Sequence, residues 1–192
     1  MSSGDLASEA FGLERAGRGE PLAWRIAAGA GGDATALLAV VTRAGDRLLA
    51  RRAAGGEAVL FEVDGGRPVE VGRRYEVRAG VESVAVIEHR FRASLVRANW
   101  ALLHGREGYM VAWAREDAMG AALGRRIVGW AAPGRLPMPL GFTVLIGQRE
   151  VGRLARLPGR EDRYRLDLGG DPGREIDRRA ALGLALLVAS GR

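Results

Sequence analysis

The segment Ala180-Ala-Leu-Gly-Leu-Ala-Leu-Leu-Val-Ala189 carries no polar side chain on any face. A helix that is apolar all round holds only where it is enclosed on every side. This run is about half the length that a bilayer-spanning helix requires, so it reads as protein interior rather than as a membrane anchor. What encloses a helix completely is a sheet closed around it. Start signals precede the run: Asp171 suits the N-cap, Pro172 the first helical position, and Glu175 and Asp177 complement the positive end of the helix dipole. The pattern predicts one buried helix over residues 172–190. Gly183 costs about 1 kcal/mol relative to Ala inside a helix, which marks it as a place where a barrel wall comes close.

The rest of the chain alternates with period two. Phe61 and Val63, Trp100 and Leu102, and Tyr109, Val111 and Trp113 fall on shared parities, as strands with one buried face require. Glycine turns punctuate these runs about every ten residues, the spacing of a sandwich or barrel. Hairpins are expected from Thr35 to Arg52 around Ala44-Gly45-Asp46, from Ala58 to Arg73 around Asp64-Gly65-Gly66, and from Arg74 to Glu88 around Gly80. Strands are expected at His89 to Val96, Trp100 to His104 and Tyr109 to Ala114. A further hairpin runs from Gly141 to Leu157 around Gly147-Gln148-Arg149, and Tyr164 to Leu168 is a last strand. Phe61 to Arg73 and Phe142 to Arg153 echo each other, each an aromatic-led strand, a glycine turn and a return ending Val-Gly-Arg. Residues 1–21, small, polar and Gly-rich, read as a mobile or loosely docked tail before one domain over residues 22–192.

Composition removes whole classes of chemistry. There is no cysteine, hence no disulfide, thiolate metal site or thiol nucleophile. All 29 basic Lys+Arg residues are arginine, which excludes phosphate-loop and Schiff-base mechanisms that need a lysine. The net charge of +6 suits a polyanionic partner, yet the 23 acids are interspersed with the arginines and no long arginine run forms a nucleic-acid tail. Nucleic acid is thus not the expected partner. Met1 to Glu20 lacks the apolar core of a signal peptide, and a soluble, cytoplasmic protein is expected, at most peripheral to a membrane.

Glycine-turned hairpins of the form Phe-x-Val and Val-Gly-Arg, the strand Tyr164-Arg-Leu166-Asp-Leu168 and the terminal Asp177-Arg-Arg-Ala-Ala-Leu-Gly-Leu-Ala-Leu-Leu helix together resemble the tubby C-terminal-like superfamily. Within it the closer likeness is to the LURP-one-related and phospholipid-scramblase-like branch. The resemblance spans roughly Leu22 to Arg192. It implies a mainly β fold, a closed antiparallel barrel of about twelve strands threaded by a hydrophobic C-terminal helix. For function it implies a non-enzymatic binding or scaffold domain, with lipid contact as the family theme. This chain has no cysteine to palmitoylate, no proline-rich N-terminal segment and no acidic run of calcium-loop spacing.

The candidate ligand-binding residues are arginines: Arg73, Arg74, Arg90, Arg92, Arg97, Arg125 and Arg126. The guanidinium fork binds phosphate bidentately, so a cluster suits anionic lipid head groups or another phosphate-bearing ligand. A rival reading places a nucleotide at Gly29-Ala-Gly31-Gly-Asp33-Ala34, a degenerate dinucleotide turn, provided a helix follows it. A third reading is a purely structural subunit. The two histidines, His89 and His104, fall on different strands, no Gly-x-Ser-x-Gly elbow occurs, and Glu116-Asp117 reads as a solvated turn. No catalytic residue, metal or cofactor is expected.

Overall fold

The computed structural model describes residues 6–16, 23–29, 36–54, 58–64, 72–90, 98–117, 140–158 and 162–190. Twelve strands close into one antiparallel barrel in which every strand pairs with its neighbours in sequence and the first pairs with the last. They are β1 (Ala10–Ala16), β2 (Ala23–Ala28), β3 (Ala36–Ala44), β4 (Arg47–Arg52), β5 (Val59–Asp64) and β6 (Arg74–Ala79). There follow β7 (Glu82–His89), β8 (Asn99–His104), β9 (Met110–Glu116), β10 (Gly141–Ile146), β11 (Arg149–Arg156) and β12 (Arg163–Asp167). Closure leaves no unpaired edge, and it is sealed by Phe11 against Leu166 and Leu13 against Tyr164.

Alternation decides what faces inward. Phe11, Leu13, Trp24, Ile26, Val41, Leu48, Phe61, Val63, Tyr75, Val77 and Ile87 are all buried on the inner face, where they meet helix α1 (Arg178–Ser190). Every α1 residue from Ala180 to Ser190 is buried. Its 13 residues rise about 20 Å, comparable to the height of tilted strands of this length, so the helix threads the barrel from end to end. The turns at Gly80 and Gly147 lie at the near end, where α1 begins. The turn at Gly45 lies at the far end, where β1, β5, β7, β9 and β11 end and towards which α1 points. Gly183 makes the expected close approach: a Cβ there would stand 2.9 Å from a Val77 methyl and 3.3 Å from one of Val63.

Several expectations are corrected. Ala10–Ala16 is not tail but β1, the strand that closes the barrel between β12 and β2. The helix starts at Arg178 rather than Pro172, because Asp171 is drawn inward by other partners. Its carboxylate accepts from the N–H of Glu175 at 2.9 Å and of Ile176 at 3.1 Å and pairs with Arg178. The N-cap is instead Asp177, whose Oδ1 accepts the Arg179 N–H at 2.8 Å. The strand expected from His89 ends there, as the last residue of β7, and residues 91–97 lie outside the described set. Residues 68–71 of the expected return strand lie outside it too, and among the described strands β5 pairs with β6. Of the two echoing segments, β5 runs towards the far end and β10 away from it, and residues 65–71, the turn and most of the return of the first, lie outside the described residues.

Candidate functional site

Of the arginines singled out from sequence, Arg73, Arg74 and Arg90 are brought together at the far end, while Arg92, Arg97, Arg125 and Arg126 lie outside the described residues. The β6–β7 register places Arg74 beside Glu88, and His89 N–H donates to the Arg73 carbonyl at 3.3 Å. Arg90 follows directly, its N–H donating to the Asn99 carbonyl at 2.9 Å. Arg74 points outward, 3.5 Å from Glu88, with a side chain 70% exposed. Such a surface pair contributes little to stability. Arg73 faces inward and lies over the Tyr75 ring, 5.6 Å from its centroid.

Parity shows that Arg73 is not alone. Arg15 is the Cα partner of Trp24, Arg43 of Leu48 and Arg156 of Tyr164, and each of those partners is buried on the inner face. Arg15, Arg43, Arg73 and Arg156 therefore occupy inward positions at the far ends of β1, β3 and β11 and just before β6. Two carboxylates share this level: Asp162, whose carbonyl accepts from Arg15 N–H, and Glu116. Glu116 is buried, not a solvated turn residue, and its carboxylate accepts from Ala98 N–H at 3.0 Å.

Beneath the arginines lies an aromatic layer. Trp24 and Tyr164 meet edge to face at 5.9 Å on the wall around β1. On the opposite wall Trp100 stacks on His89 at 4.5 Å and approaches Tyr75 at 6.2 Å. Three polar atoms at this end, Trp24 Nε1, Tyr75 Oη and Ser190 Oγ, are buried without a hydrogen-bond partner among the described residues. Each such group costs about 1–3 kcal/mol.

At the near end a cleft of about 450 Å³ lies beside the start of α1, bordered by Glu82, Arg106, Tyr109, Glu175, Asp177 and Arg179. Its carboxylates are each matched with an arginine: Glu82 with Arg106 at 3.4 Å, Glu175 with Arg149, and Asp177 with Arg179 at 2.6 Å. Burial alone would raise the Asp177 carboxyl, but hydrogen bonds from the side chain and N–H of Arg179 outweigh it and hold the carboxyl below its ordinary value. The Arg78 guanidinium on the outer wall likewise lowers Glu76.

The two histidines stand at opposite ends, His89 buried at the far end and His104 stacked on Tyr109 at the near end, 5.1 Å between ring centroids. Among the described residues no three potential metal ligands cluster. Residues 30–34 of the nucleotide reading lie outside the described residues, and from Ala36, where that reading needs a helix, the described chain is strand β3, antiparallel to β2. The sequence matches no protein-family model and no curated protein. No helix among the described residues is long and apolar enough to cross a membrane.

Proposed function

We propose that this protein is a non-enzymatic binding domain that docks on anionic phospholipid through the far end of its barrel. The observation that carries this reading is the convergence of Arg73, Arg74 and Arg90 at that end, Arg74 held in the β6–β7 ladder, Arg73 just before β6 and Arg90 just after β7. Guanidinium groups on a rigid wall bind phosphate without a moving part or a catalytic group. Membership of the tubby C-terminal-like superfamily, in its LURP-one-related and scramblase-like branch, belongs to the same proposal. The closed twelve-strand barrel around a C-terminal helix supports it. A cytoplasmic protein that meets the membrane from its surface is the setting this reading implies.

Co-sedimentation with vesicles tests it. Binding to phosphatidylserine-containing vesicles, absent with phosphatidylcholine alone, is expected to weaken as salt is raised. The triple substitution Arg73→Gln, Arg74→Gln, Arg90→Gln is expected to abolish it, and Arg106→Gln at the near end to leave it intact. Equal binding to neutral vesicles, or equal loss with Arg106→Gln, would refute the proposal.

A further inference from the structure

We infer that the near-end cleft binds a small zwitterion with an aromatic body, of the class of the aromatic α-amino acids. This site is separate from the lipid reading, which concerns the other end of the barrel. The cleft, about 450 Å³, has the size of a small-molecule site. Its floor is apolar: Ala85 on β7, Leu102 on β8, Ile176 before α1 and Ala180 in its first turn border it, each at most 4% exposed. One wall is an aromatic platform. His104 Nδ1 accepts the Glu107 N–H at 3.3 Å, which fixes the ring. Tyr109 lies on that ring with only 8° between the planes and is 54% exposed. An apolar floor beside an open ring face suits a flat apolar body, which gains both burial and stacking there.

The rim sets the charge of the ligand. Arg106, in the turn between β8 and β9, stands 3.4 Å from Glu82, the first residue of β7. Gly105 lets the two turns meet, since a Cβ there would collide with the Ser83 carbonyl oxygen, and its N–H donates to the Val84 carbonyl at 3.3 Å. The Arg106 and Glu82 side chains are 72% and 52% exposed, so their pairing contributes little and opens at little cost. The other two carboxylates of the cleft are held more tightly, Asp177 by Arg179 Nε at 3.0 Å and Nη2 at 2.6 Å and Glu175 by Arg149. Arg106 and Glu82 are thus the opposite charges free to part for a ligand. A ligand with one charge leaves one of them unmatched. A carboxylate and an ammonium on the same carbon match both, the first in the Arg106 fork and the second on Glu82.

Isothermal titration calorimetry of the full chain with L-phenylalanine, L-tyrosine and L-tryptophan tests the inference. Saturable binding of at least one is expected. For the phenylalanine series, the amide, phenylpropionate and L-alanine lack the carboxylate, the ammonium and the ring in turn, and each is expected to bind at least about tenfold more weakly. Arg106→Gln and Glu82→Gln are each expected to weaken amino-acid binding at least about tenfold, and Tyr109→Ala about fivefold. Melting temperatures should hold, because all three side chains are exposed. Arg47→Gln, on the outer wall beside Glu62 and Asp64, is expected to leave binding unchanged. Failure of all three amino acids to bind would overturn the inference. So would equal affinity for phenylpropionate or the amide, or variants of Arg106 and Glu82 that lower the melting temperature and leave affinity unchanged. Vesicle binding without amino-acid binding would sink the cleft alone, and the reverse would sink lipid docking alone.

Discussion

Arg178 donates to the carboxylate of Asp171 at 2.7 Å and to the Asp171 carbonyl at 3.0 Å, and the two side chains are only 6% and 0% exposed. This pair fixes where the chain turns from β12 into the barrel. Removing one partner of a buried pair leaves an uncompensated charge and costs about 3–5 kcal/mol. Asp171→Ala is therefore expected to lower unfolding free energy by that amount in denaturant titration. The double change Asp171→Leu, Arg178→Met is expected to cost less than Asp171→Ala alone.

Gly183 is held to its size by the wall. Ala at this position gains about 1 kcal/mol of helix propensity, but its Cβ would press on stiff Val77 and Val63, and overpacking costs about 1–3 kcal/mol. The net effect expected is destabilisation, and the cost of Gly183→Ala should shrink in a Val77→Ala background. A double-mutant cycle reads the coupling directly.

Asp177 links the helix start to pH. Its carboxyl is lowered in the folded protein, so the stability it contributes is present above the ordinary aspartate value of 3.8 and is lost as pH falls below it. Melting temperatures between pH 6 and 2 are expected to fall less steeply for Asp177→Asn than for the wild type. An unchanged slope would contradict the cap.

Leu184, 1% exposed on the central turns of α1, tolerates no charge. Leu184→Asp buries a carboxylate without a partner, and the expected result is loss of the cooperative transition in thermal unfolding.

The barrel and its helix were legible because Ala180 to Ala189 lacks a polar face, a constraint that only enclosure satisfies. Strand β1 was not legible. Ala10-Phe-Gly-Leu-Glu-Arg-Ala16 alternates weakly, and its partner β12 lies at the other end of the chain, so nothing local announces the pairing. The helix start was misplaced because Asp171 and Asp177 both suit a cap, and only the tertiary pairing with Arg178 separates them. The shared end of Arg73, Arg74 and Arg90 follows from the β6–β7 hairpin, which Gly80 announces in the sequence. Arg15, Arg43 and Arg156 stand apart in sequence and come to the same end of the barrel only through closure of the sheet. Their signal was parity: Arg43 continues the inward series of Ala39 and Val41.

The most direct measurement of a helix enclosed by a closed barrel is native-state amide hydrogen exchange across Leu182 to Val188. Full enclosure predicts that these amides exchange only through global unfolding, with the same denaturant dependence as the inner strands β5 to β7. Exchange of the helix by local opening, while those strands stay protected, would contradict it.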